Sequence, residues 1–288
     1  MKGLINFICC FIPVKKWRKK IRSNLTDSII RRKELLDYGF KIDHDIITTP
    51  QGVRFSISDK PDHPFYLIKE VFIKNEYKLI LRKESILFDI GMNKAAVSLL
   101  FATNNNIKKI YAYEPFKPTF ESAKINLDLN PHLSRKIQAF NFGLGRYEQT
   151  LELPYIIHAS GGMSTTHNTC TGEKNATKEI VTIKDAAKVI DPIIEKNKNS
   201  YIIVKCDCEG AEFDIFDRLN EDDIFRKIDV IMMEYHFESP DRLVNILADN
   251  GFAIQVKSGS KKTKTGYIYA VRTSEKSSSL IYNNTEVS

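Results

Sequence analysis

What the sequence lacks narrows the classes of protein that it can encode. Its N-terminal apolar stretch, Leu4 to Pro13, covers 10 residues, whereas a membrane-spanning helix needs about 20. The cysteines number only 5, and no two of them have the spacing of a zinc site or of a disulfide framework. The sequence therefore predicts neither a membrane-spanning protein nor a disulfide-stapled one, and a reducing compartment suits it best.

Net positive charge is lacking outside the first 34 residues, although the whole chain has a net charge of +7. Residues 1–34 hold 10 Lys and Arg against 2 acids, so they carry +8 and the remaining residues carry about −1. A near-neutral remainder argues against a nucleic-acid-binding face on the folded domain.

The N-terminal segment combines an apolar helical face with a basic run. Leu, Ile and Phe residues between Leu4 and Ile12 fall on one side of a helix, and the run from Lys15 to Arg22 follows them. This order is typical of a helix that lies on an anionic membrane. We therefore expect residues 1–22 to bind the inner face of a membrane from the cytoplasm; a docking helix with a solvated charge run is the alternative.

Glycine is scarce where a dinucleotide site would need it. A pyrophosphate requires G-x-G-x-x-G, because it sits against bare backbone at a helix N-terminus. This chain has one glycine between Gly91 and Ala95, directly after the apolar run that carries Asp89. The pattern predicts a buried parallel strand followed by a helix that begins at Asn93, and it disfavours an NAD-dependent oxidoreductase.

A second acid, Glu114, ends the next predicted strand, 25 residues after Asp89. An acid at this position can accept both hydrogen bonds of a ribose diol. S-adenosylmethionine has no phosphate, and its sulfonium and amino groups are cations that favour an acid such as Asp89. The pattern therefore favours this cofactor; a plain buried strand followed by a turn is the alternative.

Further apolar runs predict a parallel sheet with polar residues at its carboxyl edge. A third strand ends at Asn141, so Asp89, Glu114 and Asn141 should face one crevice. Two later strands deliver a cluster of polar residues to the same edge: Asp207, Glu209, Glu212, Glu234 and His236. So many acids together need the sulfonium, a divalent metal or a shared proton. For Glu209 and Glu212, capping of the helix that follows from Gly210 onward is the alternative.

Other segments have more limited roles in the prediction. The small-residue loop Ser160–Thr166 could close over a ligand, and the runs 252–256 and 267–271 should pair antiparallel. His236, beside Glu234, is a candidate general base for a substrate hydroxyl.

Taken together, these motifs resemble those of the FkbM family of S-adenosylmethionine-dependent methyltransferases over residues 40–272. The resemblance rests on four segments: Asp89-Ile90-Gly91-Met92-Asn93, Tyr113-Glu114-Pro115, Asp207-Cys208-Glu209-Gly210-Ala211-Glu212 and Glu234-Tyr235-His236. It implies an α/β fold of class I methyltransferase (Rossmann-like) type. Such a fold has a seven-stranded sheet, mostly parallel with an antiparallel last strand, and helices on both faces.

The resemblance also implies roles for individual residues. Asp89, Gly91 and Asn93 would line the methionine end of the cofactor, and Glu114 would hold the ribose. Asp207 would lie near the transferred methyl group, with Glu209, Glu234 and His236 on the substrate side. Adding Asn141 from its place at the third strand end, we expect a cofactor-binding set of Asp89, Gly91, Asn93, Glu114, Asn141 and Asp207. The expected catalytic set is Asp207, Glu209, Glu234 and His236, and no metal ligand is assigned.

The chain departs from the family pattern at two neighbouring positions. Ala95 stands where the family usually has glycine, and Lys94 stands where a small or apolar residue is usual. Lys94 would place a cation next to a cationic cofactor. A catalytically degenerate methyltransferase-fold protein that serves as a membrane-associated binding partner is therefore the alternative to an active enzyme.

The start of the chain bears on the substrate. Residues 8–13 and the basic run after them are similar to the start of many bacterial surface-polysaccharide transferases, which implies a glycan acceptor, either a surface polysaccharide or a lipid-linked sugar. We therefore expect three parts: a membrane-associating segment at 1–34, an FkbM-like domain at 35–272 and a disordered tail at 273–288. The predicted function is O-methylation of a sugar hydroxyl, and the oligomeric state is left open.

Overall fold

The computed structural model describes residues 29–57, 63–74, 76–167, 169–170, 176–259 and 264–273. The chain divides into two compact units, Met1–Lys78 with Ile125–Pro131, and Leu79–Lys124 with His132–Ser288. The predicted membrane-binding segment, residues 1–22, and all but the first residue of the predicted tail lie outside the described residues. Among the described helices, none has both the length and the apolar character needed to cross a bilayer.

The first unit contains a small antiparallel sheet. Its elements are α1 (residues 29–37), β1 (Lys41–Asp43), β2 (Ile46–Thr48), β3 (Arg54–Ser56) and α2 (His63–Phe72). Strands β2 and β3 pair antiparallel on either side of the Pro50-Gln51-Gly52 turn. Phe55 packs edge-on against Phe72 with ring centroids 5.6 Å apart. Residues 125–131 belong to this unit, since Asn130 accepts a hydrogen bond from the Arg54 N–H at 2.9 Å.

The remaining elements alternate between strands and helices. The first half comprises β4 (Ser85–Ile90), α3 (Ala96–Ala102), β5 (Ile107–Tyr113), α4 (Lys117–Asp128), α5 (Pro131–Ser134), β6 (Ile137–Phe140), β7 (Gly143–Gly145) and β8 (Gln149–Tyr155). A 3-10 segment (Ile157–Gly162), β9 (Thr177–Asp185), α6 (Ala186–Lys196), β10 (Tyr201–Cys206) and α7 (Glu212–Glu221) follow. The chain then forms a second 3-10 segment (Ile224–Lys227), β11 (Val230–Tyr235), α8 (Asp241–Asp249), β12 (Phe252–Ser258) and β13 (Gly266–Arg272).

Seven of these strands form one sheet in the order β12-β13-β11-β10-β4-β5-β6. The strands from β11 to β6 pair in parallel, whereas β13 runs antiparallel to both of its neighbours. Helices lie around the sheet, with α3 against β5 and α8 against β12. The predicted seven-stranded, mostly parallel fold with an antiparallel last strand is confirmed.

The middle of this sheet positions the site. All six residues of β4 are buried, as expected of a strand covered on both faces. In the parallel pairing of β4 with β10, Ile90 lies opposite Cys206, so the segments after the two strands begin side by side. Gly91 has a φ of 78°, and a Cβ there would lie 1.8 Å from the Asp207 carbonyl oxygen. Only glycine allows this approach.

One local prediction was wrong. The helix after β4 begins at Ala96 rather than Asn93, because Asn93 and Ala95 adopt positive φ values of 51° and 65° and extend the turn. Asn93 therefore does not cap the helix. Strand β9 is the centre of a second sheet in the order β7-β9-β8.

Candidate active site

Glu114 joins the segments that follow β4 and β5. Its Oε2 accepts a hydrogen bond from the Asn93 N–H at 2.9 Å, and its Oε1 accepts one from the Phe116 N–H at 3.0 Å. Burial raises the pKa of Glu114 to about 7, although these two hydrogen bonds act in the opposite direction. A carboxylate oxygen that accepts one hydrogen bond keeps a lone pair for another donor. Glu114 can therefore still receive hydroxyl groups.

A cavity lies at the carboxyl edge of the sheet. The space between its walls measures about 570 Å³ when the solvent at its open mouth is included. Five predicted site residues line the cavity: Gly91, Asn93, Glu114, Asp207 and Glu209. The predicted closing loop contributes Gly161, Met163 and Thr165.

Asn93 offers this cavity a hydrogen-bond acceptor. Its side-chain Oδ1 is buried and has no hydrogen-bond partner within the part of the chain that the structure describes. Leaving such a group without a partner costs about 1–3 kcal/mol. Asn93 therefore provides a place for a donor group of a ligand.

Asp89 does not line the cavity. It is fully buried, with Oδ1 3.1 Å from the Lys205 ammonium and Oδ2 accepting a hydrogen bond from the Ser98 hydroxyl at 2.6 Å. Lys205 also donates to the carbonyl oxygen of Gly91. Burial alone would lower the pKa of Lys205, but the charges of Asp89 and Asp207 raise it. The pair thus holds the Gly91 turn in place, instead of presenting Asp89 to a cofactor cation as the sequence predicted.

Lys205 was missed at the sequence level. Its signal is present, however, as a single Lys near the end of the apolar run Tyr201–Cys206. A charge within a buried parallel strand requires a buried partner. Asp89, one strand away and opposite in register, is that partner.

Asn141 and Lys94 also lie away from the cavity walls. The Asn141 side-chain amide donates to the carbonyl oxygens of Glu114 and Pro115, at 2.9 and 3.2 Å. Asn141 therefore ties down the backbone that carries Glu114. Lys94 is buried, with 7% of its surface exposed, and is not among the cavity-lining residues.

Glu212 is the centre of the acid cluster. It is fully buried; its Oε1 accepts a hydrogen bond from the Cys208 N–H at 2.8 Å, and its Oε2 accepts one from the Gly210 N–H at 2.7 Å. The same Oε1 lies 3.1 Å from His236 Nδ1. Glu212 thus binds the backbone ahead of α7 and also orients the imidazole ring, whereas the helix itself has no side-chain cap.

The other nitrogen of His236 faces two further carboxylates. Nε2 lies 3.7 Å from Glu209 Oε2 and 3.7 Å from Glu234 Oε1. Asp207, Glu209 and His236 each contribute one ligand-type atom to a group whose members lie within 4.8 Å of one another. The four predicted catalytic residues therefore lie together, and this donor set has the composition of a metal site.

The residues of the cluster shift one another's pKa values. Burial alone would lower the pKa of His236, but the hydrogen bond with Glu212 and the charges of Asp207 and Glu209 raise it to about 10. Burial raises the pKa of Glu209 to about 7, against the charge of His236 and with that of Asp207. A protonated imidazole has no free lone pair. The electrostatics of the described residues thus do not fit His236 as a general base.

Strained backbone surrounds the cluster. Glu209 and Phe237 have φ values of 51° and 67°, which are uncommon for residues with bulky side chains. The exposed His167 ring stacks on Phe237 with centroids 4.4 Å apart. The Ser164 hydroxyl, on the predicted closing loop, donates to the Glu209 carbonyl oxygen. The loop is therefore fastened directly to the acidic segment.

The family model described as the methyltransferase FkbM domain matches residues 89–254, more than half of the chain. The chain belongs to the FkbM methyltransferase family. The matched region contains the four segments on which the resemblance rests, from Asp89 to His236. Membership confirms the family that the sequence motifs indicated. A comparison with curated proteins gave no match.

Solved structures similar to this FkbM-family chain are distant. The FkbM methyltransferase from Methylobacillus flagellatus KT shares 13% identity, with 88% of this chain and 60% of that chain covered and a TM-score of 0.43. The N-terminal domain of human METTL16, in complex with SAH, shares 15% identity, with 88% and 82% covered and a TM-score of 0.42. Precorrin-6y C5,15-methyltransferase from Geobacter metallireducens GS-15 shares 15%, with 70% and 89% covered and a TM-score of 0.40. Scores this low assign no site or substrate.

The residues of this FkbM-family chain fit S-adenosylmethionine, the cofactor of the family. The Oδ1 of Asn93, which has no partner among the described residues, can accept a hydrogen bond from the amino group of the cofactor. Glu114 can accept hydrogen bonds from the ribose diol beside its two backbone contacts. Gly91 keeps the backbone clear of side-chain atoms at the cavity wall. The observed donors and acceptors therefore match the cofactor without Asp89 taking part.

Proposed function

We propose that this protein is an S-adenosylmethionine-dependent O-methyltransferase that acts on a hydroxyl group of a surface-polysaccharide or lipid-linked sugar. One observation carries the proposal. The residues suited to the cofactor, Asn93 and Glu114, line the same cavity as two carboxylates of the acid cluster, Asp207 and Glu209. A methyl donor and a hydroxyl acceptor can therefore meet in one place.

The protein contributes to the reaction mainly by positioning the cofactor and the acceptor. S-adenosylmethionine supplies, when bound, a methyl group on a sulfonium, which the acceptor oxygen attacks in line. Asn93 and Glu114 hold the two ends of the cofactor, and the Glu212 network holds Asp207 and Glu209 at the acceptor side. Correct positioning alone can lower a barrier by about 7–11 kcal/mol. The acceptor proton passes to the cavity-facing carboxylates, which are hydrogen-bond acceptors for hydroxyl groups.

A sugar acceptor is supported by the surroundings of the cluster. Several carboxylates close together suit a molecule that presents several hydroxyl donors. The stacked rings of His167 and Phe237 offer an apolar surface nearby. The similarity of the chain's start to surface-polysaccharide transferases points to the same class of acceptor, and its basic run suits a substrate at an anionic membrane.

A calorimetric titration with S-adenosylmethionine and S-adenosylhomocysteine tests the cofactor first. We expect saturable binding of both, followed by transfer of a labelled methyl group to a glycan acceptor. Absence of binding by a cooperatively folded protein would refute the proposal and favour the degenerate binding-partner alternative. Transfer to nitrogen or carbon instead of oxygen would keep the enzyme and refute the acceptor class.

A further inference from the structure

We propose that Asp207, Glu209 and His236 bind a divalent cation, which holds the acceptor hydroxyl during methyl transfer. The existence of this site is argued from its own geometry, whereas its role rests on the proposed function. The site borders the cofactor cavity, because Asp207 and Glu209 also line that cavity.

The spacing of the donor atoms suits one ion. Metal–ligand bonds to oxygen and nitrogen are about 2.0–2.6 Å long, so ligands on opposite sides of an ion are about 4–5 Å apart. One donor atom from each of Asp207, Glu209 and His236 lies within 4.8 Å of the others. The Oε1 of Glu234, 3.7 Å from His236 Nε2, can supply a further oxygen.

The imidazole ring is held as metal-binding histidines usually are. A ligating histidine almost always hydrogen-bonds through its second ring nitrogen to a carboxylate or carbonyl, which fixes the ring and its tautomer. Here Nδ1 of His236 lies 3.1 Å from the fully buried Glu212, which is itself fixed by the Cys208 and Gly210 N–H groups. Nε2 is consequently directed toward Glu209 and Glu234, and a bound cation would take the place of the proton that this nitrogen carries in the empty cluster.

The local charge also favours a cation. Four carboxyl groups, those of Asp207, Glu209, Glu212 and Glu234, surround the single imidazole. The nearby Lys205 ammonium lies 3.1 Å from Asp89 Oδ1 and also interacts with the charge of Asp207, so one ammonium is shared between the cluster and Asp89. A sulfonium offers nothing for an imidazole nitrogen to bind, whereas a divalent transition metal takes both imidazole and carboxylate ligands.

The cation would change the roles of its ligands. An oxygen bound to a metal ion loses its proton more readily. The acceptor hydroxyl would then release its proton to water as its oxygen–methyl bond forms and the sulfur–methyl bond breaks. Asp207 and Glu209 would act as ligands, and a separate proton acceptor would not be needed.

Titration of Mn²⁺ into the full-length chain, stripped with EDTA, tests the site without any methyl donor. We expect one saturable site per chain by calorimetry and a bound Mn²⁺ spectrum by electron paramagnetic resonance. Asp207→Asn and Glu209→Gln should each lose at least tenfold in affinity. The matched control is Glu195→Gln, which removes an exposed acid of helix α6 that is paired with Lys227. This variant should bind Mn²⁺ as the parent chain does.

Thermal unfolding of each variant separates loss of ligands from loss of fold, and His236→Gln is a second ligand variant. No saturable Mn²⁺ binding by a folded parent chain, or equal binding by all ligand variants, would overturn the site. Methyl transfer that proceeds unchanged in EDTA would overturn the cation's role and leave the proposed function standing. Mn²⁺ binding in a chain that transfers no methyl group would leave the site standing and count against the proposed function.

Discussion

Lys205 and Asp89 form an ion pair inside the central sheet, with the ammonium nitrogen 3.1 Å from Oδ1 and both side chains at most 2% exposed. Their strands are adjacent and the two residues lie opposite each other in register. The ammonium also reaches the carbonyl oxygen of Gly91, the residue on which the approach of β4 and β10 depends. Asp89 therefore stabilises the Gly91 turn indirectly, through Lys205.

The Asp89–Lys205 pair yields a stability prediction. Removing one partner of a buried pair leaves the other charge uncompensated, which costs about 3–5 kcal/mol. We expect Asp89→Asn to lower the free energy of unfolding by that amount, measured by urea titration. The double variant Asp89→Leu/Lys205→Met should recover most of the loss, since no buried charge remains.

The exposed pair between Glu84 and Lys108 is the control, with side chains 69% and 52% exposed. Surface ion pairs contribute about 0–1 kcal/mol, so Glu84→Gln should have little effect. An Asp89→Asn chain as stable as the parent would show that the Lys205 charge is not left uncompensated when the Asp89 charge is removed.

Most of the sheet was predictable because its strands are apolar runs that end in acids and turns. Such runs report burial directly, so β4, β5, β6, β10 and β11 could be placed. The direction in which a side chain at a strand end points was not predictable. Asp89 and Glu114 occupy similar positions in sequence, yet one points at a buried Lys and the other lines the cavity.

The acid cluster could be predicted as a group but not as a network. Strand order brings Asp207, Glu209 and His236 to one edge, and that followed from the pattern. The distinction between Glu212, which holds the ring, and Glu209, which faces the cavity, depends on the backbone between them. Glu209 and Gly210 adopt positive φ values there, and a non-glycine residue in that region gives no sequence signal.

Ala95 provides a second stability prediction. It is fully buried and has a φ of 65°, a conformation that costs a non-glycine residue about 1–2 kcal/mol. Ala95→Gly should therefore raise the free energy of unfolding by about 1 kcal/mol. Ala187→Gly, a buried alanine within helix α6, should lower it by about 1 kcal/mol. If Ala95→Gly and Ala187→Gly both lower the free energy of unfolding, the positive φ of Ala95 does not store strain that glycine can relieve.

Glu114 yields a prediction about pH. Its pKa is raised from 4.5 to about 7 in the folded chain, so the folded state binds the proton more tightly than the unfolded state. Its contribution to stability is thus full below pH 4.5 and is lost as the pH rises through about 7. Glu114→Gln should flatten the decline in stability between these values, measured by urea titration at each pH. The exposed Glu121→Gln should leave the slope unchanged.

The same ionisation should control cofactor binding. A protonated carboxyl has less capacity to accept the two ribose hydroxyls. We expect the affinity for S-adenosylhomocysteine, measured calorimetrically, to fall as the pH drops below about 7, where Glu114 takes up its proton. Glu114→Gln should bind weakly at every pH. An affinity that does not change between pH 5.5 and 8 would exclude Glu114 from the cofactor site.

His236 separates the cofactor side of the site from the acceptor side. It is held by Glu212 and faces Glu209 and Glu234, but it is not among the residues that line the cavity. His236→Ala should therefore bind S-adenosylhomocysteine with the affinity of the parent chain while methyl transfer falls at least 100-fold, since the acceptor-side carboxylates lose their central partner. Asn93→Ala, in contrast, should weaken the binding of S-adenosylhomocysteine itself. Unchanged transfer by His236→Ala would remove the cluster from the reaction.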